Sequence, residues 1–331
     1  MSRDEEQGPV GHAGAGLQGR VGHPGAGRED AGQGARQVGA GPAGQTVVVA
    51  VCQLPLQILA VQANRATARL AVLSAAKAGA GIVVLPELTP SGYVFASKAE
   101  ACSVAEPPDG PTATEWAHLA AQHDLVIVGG FCEMGPGDHL FNSAVVIDRA
   151  GLRAVYRKAH LWDAEPDVFT PGDGDPPVVA TRHGRVAVMI CYDAEFSEWV
   201  RKPALAGAEL LAVPVNWPAQ PRPPGERAME VVNAQAQASA NRMFIAVADR
   251  CRAERGVGWI GGSLIAGPDG YPLAGPAVGD EPATLLAACD LSRAASKACG
   301  PRNDVHADRR PDLYSEPANM TDTAVRSGTW L

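Results

Sequence analysis

From Thr46 onward, short and wholly apolar runs alternate with longer stretches in which apolar residues recur every three or four positions. The short runs predict strands and the long ones helices, because side chains repeat every two residues along a strand and every 3.6 around a helix. TVVVAVCQL at 46–54 predicts a strand, and residues 62–79, closed by Gly79, predict a helix. A strand at 82–87, a helix at 112–123 and a strand at 126–133 follow, and the runs 141–148 and 152–156 read as a hairpin around Arg149, Ala150 and Gly151. Further along come a strand at 186–190 leading into a helix up to Gly207, a strand at 210–215, a helix at 225–241 and a strand at 243–249. Two strand-like runs flank the turn Pro268-Asp269-Gly270, and 284–291 is the last strand. This alternation predicts an α/β protein with mixed sheets covered by helices. Two similar halves in succession suggest two layered sheets.

Residues 1–45 break the pattern: they carry 13 of the 37 glycines and no aromatic residue, so they cannot bury enough surface to offset the entropy of ordering. Disorder is expected there. GAGLQG at 14–19 matches a dinucleotide fingerprint letter by letter, but no strand precedes it and no helix follows, so glycine content accounts for it. The expected organisation is an extension at 1–45, a folded domain at 46–314 and a tail at 315–331.

Charge and cysteine content narrow the partners. The 331 residues carry a net charge of −8, which disfavours nucleic acid and anionic membrane surfaces, as does the lack of basic runs interleaved with aromatics. Seven scattered cysteines without a CxxC pair fit neither a disulfide framework nor a tetrahedral zinc site. Reduced thiols in the cytoplasm are the simplest account. No apolar run reaches transmembrane length, and the first residues lack the apolar stretch of a secretory signal.

Ligand sites in open α/β sheets gather at the carboxyl ends of strands. Three such ends carry reactive groups: Glu87 after IVVLP, Lys158 in VYRKAHL and Cys191 after VAVMI. Singly, each has an ordinary explanation as a loop carboxylate, a solvated charge and a packed thiol. Packing is also the better account of Cys52, Cys132, Cys251 and Cys289, each inside an apolar run. Together the trio can perform acyl transfer. A thiol with a reference pKa near 8.5 needs a base or a cation beside it, and a reference Glu is roughly four units too acidic, about 5.7 kcal/mol, to take its proton readily. Burial must therefore raise Glu87, while Lys158 supplies the cation.

These motifs, LPELTPSGY, YRKAHLWD and CYDAEFSEWVR, resemble the Glu-Lys-Cys triad motifs of the nitrilase, or carbon-nitrogen hydrolase, superfamily. Similarity extends through AVCQL (50–54), HLFNSAVVIDRAGL (139–152), FTPGD (169–173), GAELLAVPVNW (207–217), ASANRMFIAVADR (238–250) and GGSLIAGPDG (261–270), in the family's order. The resemblance implies a four-layer αββα sandwich of two mixed sheets, no metal, no organic cofactor, and hydrolysis of a non-peptide C–N bond through a thioester. It implies Glu87 as general base, Cys191 as nucleophile, and Lys158 with the backbone N–H of Tyr192 as oxyanion donors. A second carboxylate after the lysine is implied as a substrate-positioning group. Glu165 is the candidate, with Asp163 and Asp167 beside it in WDAEPD.

Tyr93, Trp162, Tyr192, Phe196 and Trp217 adjoin these motifs and could wall a substrate pocket, although core packing would equally place them there. Asn216 could hydrogen-bond substrate or simply shape its loop. His160 invites a Cys-His dyad, but a structural role is expected, and Glu198 and Arg201 are spaced for a helical ion pair. The stretch CGPRNDVHADRRPDLY resembles the tail of amidase-type members, where it runs along a partner subunit, so a homodimer or higher homo-oligomer is expected. Cys191-Tyr192-Asp193 departs from the Cys-Trp-Glu or Cys-Gly-Glu of nitrilases proper and points to the amidase-like branch. The expected reaction converts a small carboxamide to acid and ammonia. Alternatives are a nitrilase, an acyl transferase, a catalytically silent scaffold, and an N-carbamoyl amino acid hydrolase, which would need a cation such as Arg222 or Arg227 for the substrate carboxylate.

Overall fold

The computed structural model describes residues 46–314, so the expectations for 1–45, including GAGLQG, and for 315–331 lie outside the described residues. In chain order the first half comprises β1 (Thr46–Pro55), α1 (Val61–Lys77), β2 (Ile82–Val84), α2 (Lys98–Cys102), α3 (Pro111–His123), β3 (Val126–Met134), β4 (Leu140–Asp148) and β5 (Gly151–Arg157). The second comprises β6 (Val178–Thr181), β7 (Gly184–Val188), α4 (Ser197–Leu205), β8 (Leu210–Pro214), α5 (Met229–Asn241), β9 (Phe244–Ala248), β10 (Arg250–Cys251), β11 (Ser263–Ala266), β12 (Pro272–Ala277) and β13 (Ala283–Asp290).

The strands form two mixed sheets. One runs β10-β1-β2-β3-β4-β5, with β13 pairing antiparallel along β1, and the other runs β12-β11-β9-β8-β7-β6. Each half contributes a parallel trio, β1-β2-β3 and β7-β8-β9, bordered by antiparallel strands, as the two similar halves predict.

Alternation along β1 separates the layers. Val47, Val49 and Val51 pack in the same core as Val186, Val188 and Leu211 of the second sheet. Ala50, Cys52 and Leu54 point the other way, against Ala68 and Val72 of α1 and Trp116 and Leu119 of α3. Val200 and Ala204 of α4 and Val231, Ala234 and Ala238 of α5 cover the second sheet, completing the αββα sandwich. Burying each such Val or Leu is worth about 1.5–3 kcal/mol, which holds the strand ends in place. Among the described residues no helix is long and apolar enough to cross a membrane.

Three boundaries depart from the periodicity. β2 ends at Val84 because Pro86 has no N–H to continue the ladder, which releases the chain toward Glu87. The helix expected directly after 190 is a single 3-10 turn, Cys191–Glu195, followed by α4, because Cys191 has a left-handed φ of +48° that no α-helix admits. The helix expected from 225 starts at Met229, beyond Pro223, Pro224 and Gly225. On α4 the expected Glu198–Arg201 pair does not form, and Arg201 donates instead to the carbonyl of Ala240 at 2.9 Å.

Candidate active site

Glu87, Lys158 and Glu165 converge from three segments into one buried cluster. Lys158 Nζ lies 2.9 Å from Glu87 Oε1 and 2.7 Å from Glu165 Oε1, with both carboxylates and the ammonium out of solvent. Asn142, in the wholly buried β4, donates from Nδ2 to Glu87 Oε1 at 2.6 Å and to Glu165 Oε1 at 3.2 Å. Tyr93 donates its hydroxyl to Glu165 Oε1 at 2.8 Å, and the Trp162 N–H reaches Glu165 Oε2 at 2.8 Å. Glu87 Oε2 has no partner, so one buried acceptor stays free. The chain around Glu87 lies against β3, where Gly130 allows the approach: a Cβ there would sit 2.6 Å from both Glu87 Cα and Leu88 N.

Two carboxylates sharing one ammonium in a dry site determine the proton affinities. Burial raises Glu87 above the ordinary carboxylate range, the negative charge of Glu165 adds to it, and Lys158 opposes both. Burial works against the charge on Lys158, yet the attraction of Glu165 and Glu87 outweighs it and holds the lysine protonated. Cys191 is pushed well up by burial and by the charge of Glu87, against the pull of Lys158, so the resting thiol keeps its proton. Cys52, Cys251 and Cys289 are each pushed up to about 12, chiefly by burial, which Arg252 and Arg250 oppose at Cys251 and Arg293 at Cys289. Those are packed thiols; Cys191 is a buried thiol coupled to an acid and an ammonium.

The turn that carries Cys191 is held by Asp193. Its Oδ2 accepts from the Ile190 N–H at 3.2 Å and from the Tyr156 hydroxyl at 2.7 Å, while Oδ1 accepts from the His160 N–H at 3.0 Å. His160 Nδ1 also lies 2.7 Å from Asp193 Oδ1, and its ring stacks on Phe196 with centroids 3.9 Å apart. This carboxylate therefore ties the end of β5, from which Lys158 projects, to the elbow after β7. Cys191 Sγ lies 3.9 Å from the carbonyl oxygen of Asn216, whose Nδ2 donates to the Glu87 carbonyl at 3.0 Å.

Cys191 opens onto a cavity of about 360 Å³ with Trp162, Tyr192, Phe196 and Trp217 among its walls. Trp162 and Pro218 also border a second cavity of about 420 Å³, lined by Tyr93 and Glu165. The sequence candidates thus distribute clearly. Glu87, Lys158 and Glu165 form the cluster beside Cys191, whereas Asp163 and Asp167 stay exposed. Tyr192, Trp217 and Trp162 line the cavity at Cys191, Tyr93 faces the neighbouring one, and Asn216 lines neither because its side chain is engaged with Glu87. Arg222 and Arg227 line neither cavity. His160 serves Asp193. Sequence reasoning passed over Asn142 and Gly130, although an Asn inside LFNSAVVID and a glycine pair inside VIVGGFCE are visible irregularities. Among the described residues no group of three or more His, Cys, Asp and Glu is placed to hold a metal ion.

Comparison with known proteins identifies related chains. The family model for Carbon-nitrogen hydrolase matches residues 48–298. A nitrilase of Pyrococcus abyssi is 38% identical over 271 residues, covering 81% of this chain and 99% of the relative. An N-carbamoylputrescine amidase of Solanum lycopersicum is 35% identical over 273 residues, covering 77% of this chain and 89% of the relative. Among solved structures, an amidase from Nesterenkonia sp. superposes with a TM-score of 0.67 at 26% identity, covering 83% of this chain and 98% of that one. In that structure the acetamide moiety of fluoroacetamide is covalently added at the active-site cysteine.

Proposed function

The chain belongs to the carbon-nitrogen hydrolase family, on the amidase-like branch of the nitrilase superfamily, and we propose that it hydrolyses a small carboxamide to acid and ammonia through a thioester on Cys191. Because the resting thiol is protonated, Glu87 takes the Sγ proton as sulfur attacks the carbonyl carbon. The tetrahedral oxyanion is met by the Lys158 ammonium and the Tyr192 N–H. Glu87 then passes its proton to the departing nitrogen, the C–N bond breaks, and ammonia leaves an acyl-Cys191. Water attacks that thioester with Glu87 as base again, which releases the acid and restores the thiol. Glu165 holds Lys158 and Asn142 in place.

The observation that carries this reading is the buried Glu87–Lys158–Glu165 cluster beside a cysteine held at a left-handed elbow. Such strain and desolvation persist only where the surrounding structure enforces them. The experiment is ammonia release from a panel of simple amides, with intact mass of the protein read during turnover. An acyl adduct on Cys191 that is absent from Cys191→Ala supports it; no ammonia from any amide and no adduct sinks it.

A second reading keeps the same site with a ureido head group, favoured by the N-carbamoylputrescine amidases among the relatives. An N-carbamoyl amino acid is disfavoured, since neither cavity is lined by a lysine or arginine to meet its carboxylate. Ureido and nitrile members of the panel separate these head groups. Assembly as a homodimer belongs to the same proposal, and light scattering that returns the mass of one chain would remove it.

A further inference from the structure

The cavity in front of Cys191 is unbalanced in charge. Its walls are aromatic, and the two carboxylates that line it, Glu195 and Glu230, meet no lysine or arginine in that lining. Glu195 closes the 3-10 turn that begins at the nucleophile, and Glu230 lies in the first turn of α5. Both are half-buried. Glu195 accepts a hydrogen bond from the neutral Asn233 side chain. Arg227, the cation nearest in sequence to Glu230, is exposed and donates to Gln235 Oε1 at 2.7 Å. The carboxylates are also near enough to act on each other, because Glu230 adds to burial in raising the pKa of Glu195. Two like charges facing a shared apolar space without a counter-ion are costly, and a cation entering that space relieves the repulsion.

The walls favour the same occupant. Trp162 and Tyr192 pack edge to face with centroids 4.9 Å apart, and Tyr192 and Phe196 do so at 5.0 Å. Faces of such rings attract an ammonium through their quadrupole while accommodating the methylene chain that carries it. A carboxylate tail would meet repulsion from both glutamates, and a purely apolar tail would leave them desolvated and unpaired.

We propose that the substrate bears a protonated amine at the end distal to its scissile C–N bond, held by Glu195 and Glu230 against the aromatic walls. The inference rests on reading Cys191 as the nucleophile of this cavity, since the thiol determines which end of the ligand is cleaved.

The test compares a linear amide ending in an ammonium with an uncharged linear amide of the same length. In the wild-type protein the ammonium substrate is expected to win by about tenfold to a hundredfold in kcat/KM, the range of one or two charge-assisted contacts, with the gain in KM and smaller at high salt. In Glu195→Gln/Glu230→Gln, which preserves shape, that ratio should fall toward one. The single Glu230→Gln, at a partly exposed position, should give an intermediate ratio and serves if the double variant fails to fold. Glu198→Gln, which removes an exposed charge on α4, should keep the wild-type ratio. A wild-type ratio of one or below, or a preference that survives the double substitution, overturns the proposal. A second arm needs no turnover: quenching of tryptophan fluorescence by an alkylammonium against the alcohol of equal length. If no amide releases ammonia but the alkylammonium binds and the Gln variants lose it, the hydrolase reading fails while the cation site stands. If amides turn over but neither charge preference nor alkylammonium binding is seen, the cation site fails alone.

Discussion

Two pairs of carboxylates flank Cys191, and they sit in different media. Behind the thiol Glu87 and Glu165 are buried and share the Lys158 ammonium, so every charge has a partner within the protein. In front of it Glu195 and Glu230 border an open cavity whose lining offers them no cation. Of the first pair, Glu87 follows the end of β2 and Glu165 opens a 3-10 turn after β5, both held by Asn142 of β4, with Gly130 of β3 against the Glu87 backbone; the second pair comes from a turn and the start of a helix. The difference separates two tasks. Buried charges neutralised within the protein set proton affinities for chemistry, and unneutralised ones facing a cavity are left for a ligand to complete.

The sharpest test of the rear pair is Glu87→Gln. The amide can still accept from Asn142 and Lys158 but cannot carry a proton, so kcat should fall about 10² to 10⁴-fold with little change in KM. Steady-state kinetics decide it, and a loss confined to KM would place Glu87 among substrate-binding groups instead. The pH profile adds a signed check. Burial raises Glu87, so the rising acidic limb of kcat/KM should lie above the ordinary carboxylate range, and it should vanish in the variant.

Gly130→Ala asks whether the strand scaffold sets that chemistry. A Cβ 2.6 Å from Glu87 Cα and from Leu88 N must push the Glu87 backbone away, since both neighbours are main chain. Overpacking of this kind costs about 1–3 kcal/mol of stability. A displacement of the base by an ångström is worth roughly 10²-fold in rate. Thermal unfolding and kcat measured together separate the two, and a variant with wild-type kcat would show that Glu87 is positioned without β3.

These residues also mark where the sequence is readable. Glu87, Lys158 and Cys191 were legible because a polar group directly after an apolar run has to be placed by that run. The two mixed sheets and the αββα layering follow from periodicity and from the family resemblance, whereas the order of strands within each sheet is read only from the fold. The left-handed φ at Cys191 is not legible, since helical spacing in CYDAEFSEWVR does not report a backbone dihedral, and α4 therefore starts later than that spacing predicts. The meeting of Glu195 with Glu230 depends on where α5 docks after a proline-rich loop, which local pattern cannot supply. Asn142 and Gly130 lie between: their irregularity is visible in sequence, but what they touch lies on other strands.

The cavity side predicts smaller effects. Trp162 is 38% exposed and borders both cavities, so Trp162→Ala should raise KM by about threefold to tenfold while leaving kcat within about twofold. Its backbone N–H to Glu165 survives the substitution. A large fall in kcat would therefore mean that the indole side chain itself helps hold the rear cluster, and the two regions would no longer be separable.

Asp249 supplies the mildest test, because it is a third kind of carboxylate, buried and held by backbone N–H groups. It is the one residue between β9 in the second sheet and β10 in the first, and it accepts from Trp217 N at 3.1 Å, Arg250 N at 2.8 Å and Gly262 N at 3.0 Å. Burial lifts its pKa from 3.8 to about 7 against the pull of those donors. The folded chain thus holds this proton at pH values where the unfolded chain has lost it, so the associated stability is complete below pH 3.8 and declines until about pH 7. The decline is at most about 1.4 kcal/mol per pH unit. Asp249→Asn cannot titrate and turns an N–H toward Gly262, which costs about 1 kcal/mol for the lost hydrogen bond. Urea unfolding across this pH range should therefore show the variant below wild type at acid pH, crossing it about one pH unit above 3.8 and lying above it toward neutrality, because the wild-type decline outruns the cost of one hydrogen bond. Parallel curves would mean that Asp249 binds its proton equally in both states, and that burial without a neighbouring ammonium does not shift a carboxylate in this fold.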